Sequence, residues 1–131
     1  SFDSILCLEV FEYLENYPKA IAEIHRLLKP GGRAIITIPF MYHEHQDKMR
    51  FTKDFMATQF NQFSSIQLET IGNAYTVTWD ILRKKWLLGK KGWSAKIIWN
   101  LFLLPLRYLL KPREQAKDEY YSGLFIILKN D

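Results

Sequence analysis

Just beyond a hydrophobic run in this 131-residue sequence stands His43-x-His45-x-Asp47, a spacing that could do chemistry. Alternate side chains leave an extended segment on one side, and two imidazoles with a carboxylate make a metal-ligand set. A catalytic zinc site needs at least three well-placed protein ligands, and hydrolytic sites of this type use more. The third histidine, His25, falls in the middle of a helical pattern remote from this loop, and Lys48 stands where a further ligand would be wanted. No metal is expected. A second group, Cys7, Glu9 and Glu12, closes an earlier apolar run. Cys7 reads as a small buried hydrophobe at a strand end, and the two glutamates read equally well as a solvated turn or as charges in a site.

The elements that must position these residues are legible from spacing. Ser4 to Leu8 is a short apolar run without alternation, as expected of a strand buried on both faces. Asn16 can cap a helix whose first turn tolerates Pro18, and Ala20, Ile21, Ile24, Leu27 and Leu28 recur at helical spacing. Lys29-Pro30-Gly31-Gly32 should stop that helix. Ala34 to Ile38 follows as a β-branched strand ended by Pro39. Strand, helix and strand predict a βαβ unit with a right-handed crossover and a parallel pair.

Residues 40–51 read as a loop. Thr52 suits the cap of a short helix with Phe55, Met56, Gln59 and Phe60 inward, and Ile66 to Ile71 alternates as a strand. Gly72-Asn73 turns the chain. Helical spacing of Tyr75, Trp79, Leu82 and Trp86 predicts a helix over 75–88 closed by Gly89, and a second apolar helix over 94–110 bent at Pro105. Gly123 to Lys129 reads as a terminal strand. The expected organisation is a βαβαβ core over 1–73, a basic aromatic helical insertion over 74–117, and a last strand within 118–131.

Apolar residues make up 48% and charged residues 24%, an ordinary globular balance that excludes a disordered chain. The single Cys7 excludes an intrachain disulfide. The chain opens Ser1-Phe2-Asp3 without a signal peptide, as expected of a piece cut from something longer and kept in the cytoplasm. Its charge is divided unequally. Residues 83–117 carry ten cations, among them Arg83, Lys84, Lys85, Lys90 and Lys91, against the single acid Glu114. All four tryptophans, at 79, 86, 93 and 99, fall in or beside that stretch. Two readings are open: a lid with a solvated basic edge, or a helix pair resting on an anionic membrane surface. Residues 97–110 are too short and too interrupted to span a bilayer. The stretch carries no nucleic-acid motif, so no nucleic-acid partner is expected.

The run Phe2-Asp3-Ser4-Ile5-Leu6-Cys7-Leu8-Glu9-Val10-Phe11-Glu12-Tyr13-Leu14 resembles the fourth strand and following turn of class I S-adenosylmethionine-dependent methyltransferases. In that family an Asp opens the strand and a Val-Leu-Glu-His-like tetrapeptide follows it. Leu28-Lys29-Pro30-Gly31-Gly32 resembles the turn into the family's fifth strand. His43-Glu44, Asp47 and Arg50-Phe51-Thr52 resemble a signature after that strand in a branch of small-molecule methyltransferases, with Gln46 where Pro is usual and Tyr13 where His is.

The resemblance implies an α/β fold, the C-terminal half of a Rossmann-like seven-stranded methyltransferase sheet with a helical lid or insertion before the last strand. It has no counterpart here for the family's glycine-rich loop or for the acidic end of its second strand, so the N-terminal half of the domain is expected to be missing. It further implies S-adenosylmethionine as methyl donor, with Cys7, Leu8 and Glu9 on the donor side. His43 is then the expected base, and Tyr42, Glu44 and Arg50 the expected contacts to a small-molecule or lipid-linked acceptor. The competing reading is a non-catalytic methyltransferase-like module that docks on membranes or partners through its basic helices.

Overall fold

The computed structural model describes residues 1–41, 46–84, 97–111 and 119–131. They form two compact units, Ser1–Ile71 with Ser122–Asp131, and Gly72–Tyr121. The first unit is a four-stranded sheet in the order β1-β2-β4-β3. β1 (Phe2–Leu8) runs parallel to β2 (Leu28–Pro39), joined by α1 (Tyr17–Leu27) as the βαβ pattern predicts. β4 (Gly123–Lys129) inserts antiparallel between β2 and β3 (Ser65–Ile71), and α2 (Lys53–Gln59) precedes β3.

Local chemistry fixes the helix starts. The Asn16 side chain accepts the Lys19 backbone N–H at 3.1 Å with Pro18 in the first turn of α1, and the Thr52 hydroxyl accepts the Phe55 N–H at 3.3 Å to open α2. Each satisfies a donor that the helix itself cannot. Met56 and Phe60 of α2 are fully buried, whereas Phe55 is exposed, meeting the rings of Tyr17 and Phe51 only at about 6 Å.

The core lies on one face of the sheet. Ala34, Ile36 and Ile38 of β2 are fully buried there, paired across the ladder with Leu128, Ile126 and Leu124 of β4. α1 lies against β2, and α2 against β3, with Ile21, Ile24, Met56 and Phe60 filling the layer. Full burial of one such side chain contributes about 1.5–3 kcal/mol. The opposite face, with Ile35, Thr37, Phe125 and Ile127, is only half-buried.

Two expectations need correction. β1 is not buried on both faces: Phe2, Leu6 and Leu8 are exposed, with Leu6 at 66%. The strand sits at the sheet edge and sends Leu6 and Leu8 to the less covered face. Lys29–Gly32 follows the end of α1 as expected but, instead of a turn ahead of the strand, is itself the first part of β2. The chain is already extended at Leu28, and the register with β1 slips between Phe2↔Leu28 and Ser4↔Arg33. Gly31 absorbs the irregularity at φ 77°, where a side chain is disfavoured, and its N–H donates to the Asn130 carbonyl at 2.6 Å.

In the second unit, α3 (Ala74–Leu82) starts at Asn73 with a reciprocal cap. The Asn73 side chain accepts the Thr76 N–H at 3.0 Å, and the Thr76 hydroxyl accepts the Asn73 N–H at 2.8 Å. Trp79 is buried against Tyr75, Leu82 and Leu103. A wide π-type turn, Trp99–Leu103, leads into α4 (Leu104–Leu109), which places Pro105 in its first turn, where a missing N–H costs nothing. The Tyr75 hydroxyl donates to the Arg107 carbonyl, tying α4 to α3. The predicted C-terminal part of the first helix, with Trp86 and Gly89, lies outside the described residues, as do Trp93, the side chain of Trp99 and most of the basic stretch.

Candidate active site at the strand ends

The carboxyl ends of β1 and β2 lie side by side, Leu8 opposite Thr37, and the chain leaves both into polar segments. In an open parallel arrangement this end is where ligands gather. Glu9 follows β1 at φ 55°, left-handed backbone that a residue with a side chain seldom takes. Its N–H is held by Thr37, 3.0 Å from the carbonyl oxygen and 3.2 Å from the hydroxyl. Thr37 thus fixes a turn that costs about 1–3 kcal/mol in strain.

A 3-10 turn, Phe11–Tyr13, comes next and buries both Phe11 and Glu12 completely. The Glu12 carbonyl accepts the N–H groups of Lys48, at 2.7 Å, and Met49, at 3.2 Å. That pair of bonds draws the segment after β2 back onto the turn after β1. Lys48 also pairs with Glu15, and the Arg50 guanidinium pairs with Asp47, whose carboxylate is almost wholly covered. Arg50 donates a second bond to the Phe40 carbonyl at 2.7 Å, and Phe51 packs edge-on to Tyr17 with ring centroids 5.1 Å apart.

Electrostatics confirm how closely these groups crowd. Burial first, and then the Glu12 charge, push the half-buried Cys7 thiol above its ordinary value. The Tyr13 hydroxyl is raised by desolvation and then by the carboxylates of Glu12, Asp47 and Glu9, with Arg50 acting in the opposite sense. The strand ends therefore carry an acidic cluster bounded by one guanidinium. A raised thiol makes a testable chemical statement, since only the thiolate is alkylated. Iodoacetamide should modify Cys7 more slowly at pH 8 than it modifies an unstructured cysteine, and the rate should climb at higher pH. Glu12→Gln should bring the profile part of the way back. A profile that coincides with that of a free thiol would mean Cys7 does not sense this cluster.

Of the residues expected in the site, Cys7, Leu8, Glu9 and Arg50 are brought to this end of the sheet. Cys7 and Leu8 do not share a face, however. Cys7 pairs with Ile36 on the covered side, and Leu8 with Thr37 on the other. A single ligand can meet both only around the strand terminus. Tyr42, His43 and Glu44, with His45, lie outside the described residues. Glu12 and Asp47, both noted from the sequence, and Tyr13, noted there only as a departure from the family pattern, also belong to the cluster, though none of the three was assigned a role in the site. His25 sits apart, its ring edge-on to Phe63. Among the described residues no three His, Cys, Asp or Glu side chains converge in a way that could hold a metal ion.

Residues 1–36, from β1 into β2, match the family model of the methyltransferase domain. No curated protein matches the sequence. Among solved structures, the chain is similar to Haemonchus contortus phosphoethanolamine N-methyltransferase 2 in complex with S-adenosyl-L-methionine, at 18% identity and a TM-score of 0.57. A second structure of that enzyme, with phosphomonomethylethanolamine and S-adenosylhomocysteine, matches at 18% identity and a TM-score of 0.56. Each alignment covers 99% of this chain but only 33% and 34% of the respective enzyme, so the chain spans about a third of their length. It shares part of its fold with these methyltransferase structures, and its first 36 residues match the methyltransferase-domain family model.

Proposed function

We propose that this chain supplies the acceptor side and one edge of the donor side of an S-adenosylmethionine-dependent methyltransferase, acting on a small-molecule or lipid-linked acceptor. The observation that carries the reading is the paired carboxyl ends of β1 and β2, with Glu9, Glu12 and Asp47 gathered around them inside the segment that matches the family and the loop after it. The cluster suits the donor. The charges of Glu9 and Glu12 favour a sulfonium cation, Asp47 being paired with Arg50, and the exposed Leu8 beside them offers apolar contact. S-adenosylmethionine supplies an electrophilic methyl group on a sulfur that departs readily. The protein's share is mainly alignment and exclusion of water, and alignment contributes on the order of 7–11 kcal/mol.

Within that reading Cys7, Leu8 and Glu9 form the donor edge. Tyr42, Glu44 and Arg50 belong to the acceptor, and His43 takes the proton that an amine or hydroxyl acceptor must lose. Arg50 acts as a positioning residue, because it braces the Phe40 carbonyl against Asp47. The small amine in the similar Haemonchus contortus structure supports a small-molecule acceptor.

The test is calorimetric titration of S-adenosylmethionine into two proteins. The 131-residue chain alone should give no heat at micromolar donor, because the resemblance places the grip on ribose and adenine in parts that this sequence does not contain. A longer protein that joins this chain to those parts should bind. Tight binding by the isolated chain would overturn the assignment of the donor half, and no binding by the longer protein would overturn methyl transfer.

A further inference from the structure

The segment from Ile98 to Lys111 breaks the usual rule of a helix that hides one face and wets the other. Its inner line is narrow. Leu103 packs on Trp79, and one turn later the Arg107 carbonyl accepts the Tyr75 hydroxyl. Around that line Leu101, Phe102, Leu104, Leu106, Leu109 and Leu110 are exposed, Leu109 to 82% and the neighbouring Tyr108 to 80%. A helix apolar all round is stable in water only when something covers it.

Charge says what the cover is. The apolar face lies within the stretch that carries ten cations against one acid, and Arg107 and Lys111 stand on the same segment. A protein partner would need only the apolar patch; the combination of exposed leucine and aromatic side chains with a surplus of cations fits a bilayer surface with anionic headgroups. Among the described residues no helix is long and apolar enough to cross a membrane, so this one would lie in the interface rather than span it.

We propose that residues 98–111 dock the protein reversibly on anionic lipid, the leucines and Tyr108 entering the headgroup boundary and the cations resting on its charge. The surface is independent of methyl transfer, since it uses no residue of the strand-end cluster. It is tested by co-sedimentation of the chain, without donor or acceptor, using vesicles of phosphatidylcholine alone and vesicles with about one third phosphatidylserine. The chain should pellet with the anionic vesicles and not with the neutral ones, and less in about 0.15 M salt than in low salt. Tyr108→Ser with Leu109→Ser, both at exposed positions, should weaken binding about tenfold without changing the circular dichroism spectrum. Lys111→Glu should weaken it by about tenfold as well, and only at low salt. Absence of pelleting under every condition overturns the proposal. So does equal, salt-independent pelleting with both vesicles. A dimer in gel filtration that the double serine change disperses, with no vesicle binding, assigns the face to a second copy of the chain instead.

Discussion

Replacing His43 by alanine in a longer protein that joins this chain to the donor-binding parts should lower turnover by about 10²–10⁴-fold while leaving donor affinity nearly unchanged. An ammonium must give up a proton before its nitrogen has a lone pair to attack the methyl group, and a hydroxyl must give up its proton as the methyl transfers; a positioned imidazole near neutral pH is the most effective side chain for receiving either. His43 follows Pro39, the last residue of β2, by four positions, and both flanks of its segment are tied down. Upstream, Phe40 donates to the Ser122 carbonyl at 2.7 Å and accepts from Arg50; downstream, Lys48 and Met49 hang on the Glu12 carbonyl. Arg50→Ala should also reduce turnover, through release of Phe40, and Arg50→Lys should restore part of it. The measurement is steady-state turnover at saturating donor together with the donor dissociation constant. If donor affinity collapses and turnover at saturation survives, His43 and Arg50 belong to the opposite wall.

What the sequence made legible follows the range of the interactions involved. The caps at Asn16 and Thr52 are local hydrogen bonds over three residues and were readable from residue type and spacing, whereas Asn73, read only as part of a turn, proves to cap α3 by the same kind of bond. The terminal strand Gly123–Lys129 was equally plain, since a run of β-branched and aromatic residues after a glycine has few other uses. Spacing alone could not show that β4 inserts between β2 and β3, because that order depends on residues more than fifty positions apart. The exposure of β1 was misread for a related reason. Its apolar pattern is the kind expected of an enclosed strand, while in the sheet it lies at the edge with β2 as its neighbour. At the site, resemblance drew attention to Glu9 and Arg50, whereas the docking of the segment after β2 onto the Glu12 carbonyl is a long-range contact that spacing could not show. Phe55 shows the limit of periodicity: of the four residues expected inward on this short helix, not all can face the core.

Ile36→Ala should be the most damaging single change to the fold, costing about 2–5 kcal/mol. That is a large part of the roughly 5–15 kcal/mol by which a domain is stable. Ile36 has no exposed surface, and it pairs directly with Ile126, which has none either. It stands on a central strand between β1 and β4, with α1 lying against that strand. Truncation removes the apolar area and leaves a cavity that two ladders and a helix prevent from collapsing. Ile35, its neighbour, is the control. It leaves the same strand on the less covered face and is only half-buried, so Ile35→Ala should cost about 1 kcal/mol. Urea denaturation followed by far-ultraviolet circular dichroism separates the two, with the midpoint falling much further for Ile36→Ala and the slope unchanged in both. Equal losses would mean that both faces of the sheet are buried alike, and the one-sided core described above would be wrong.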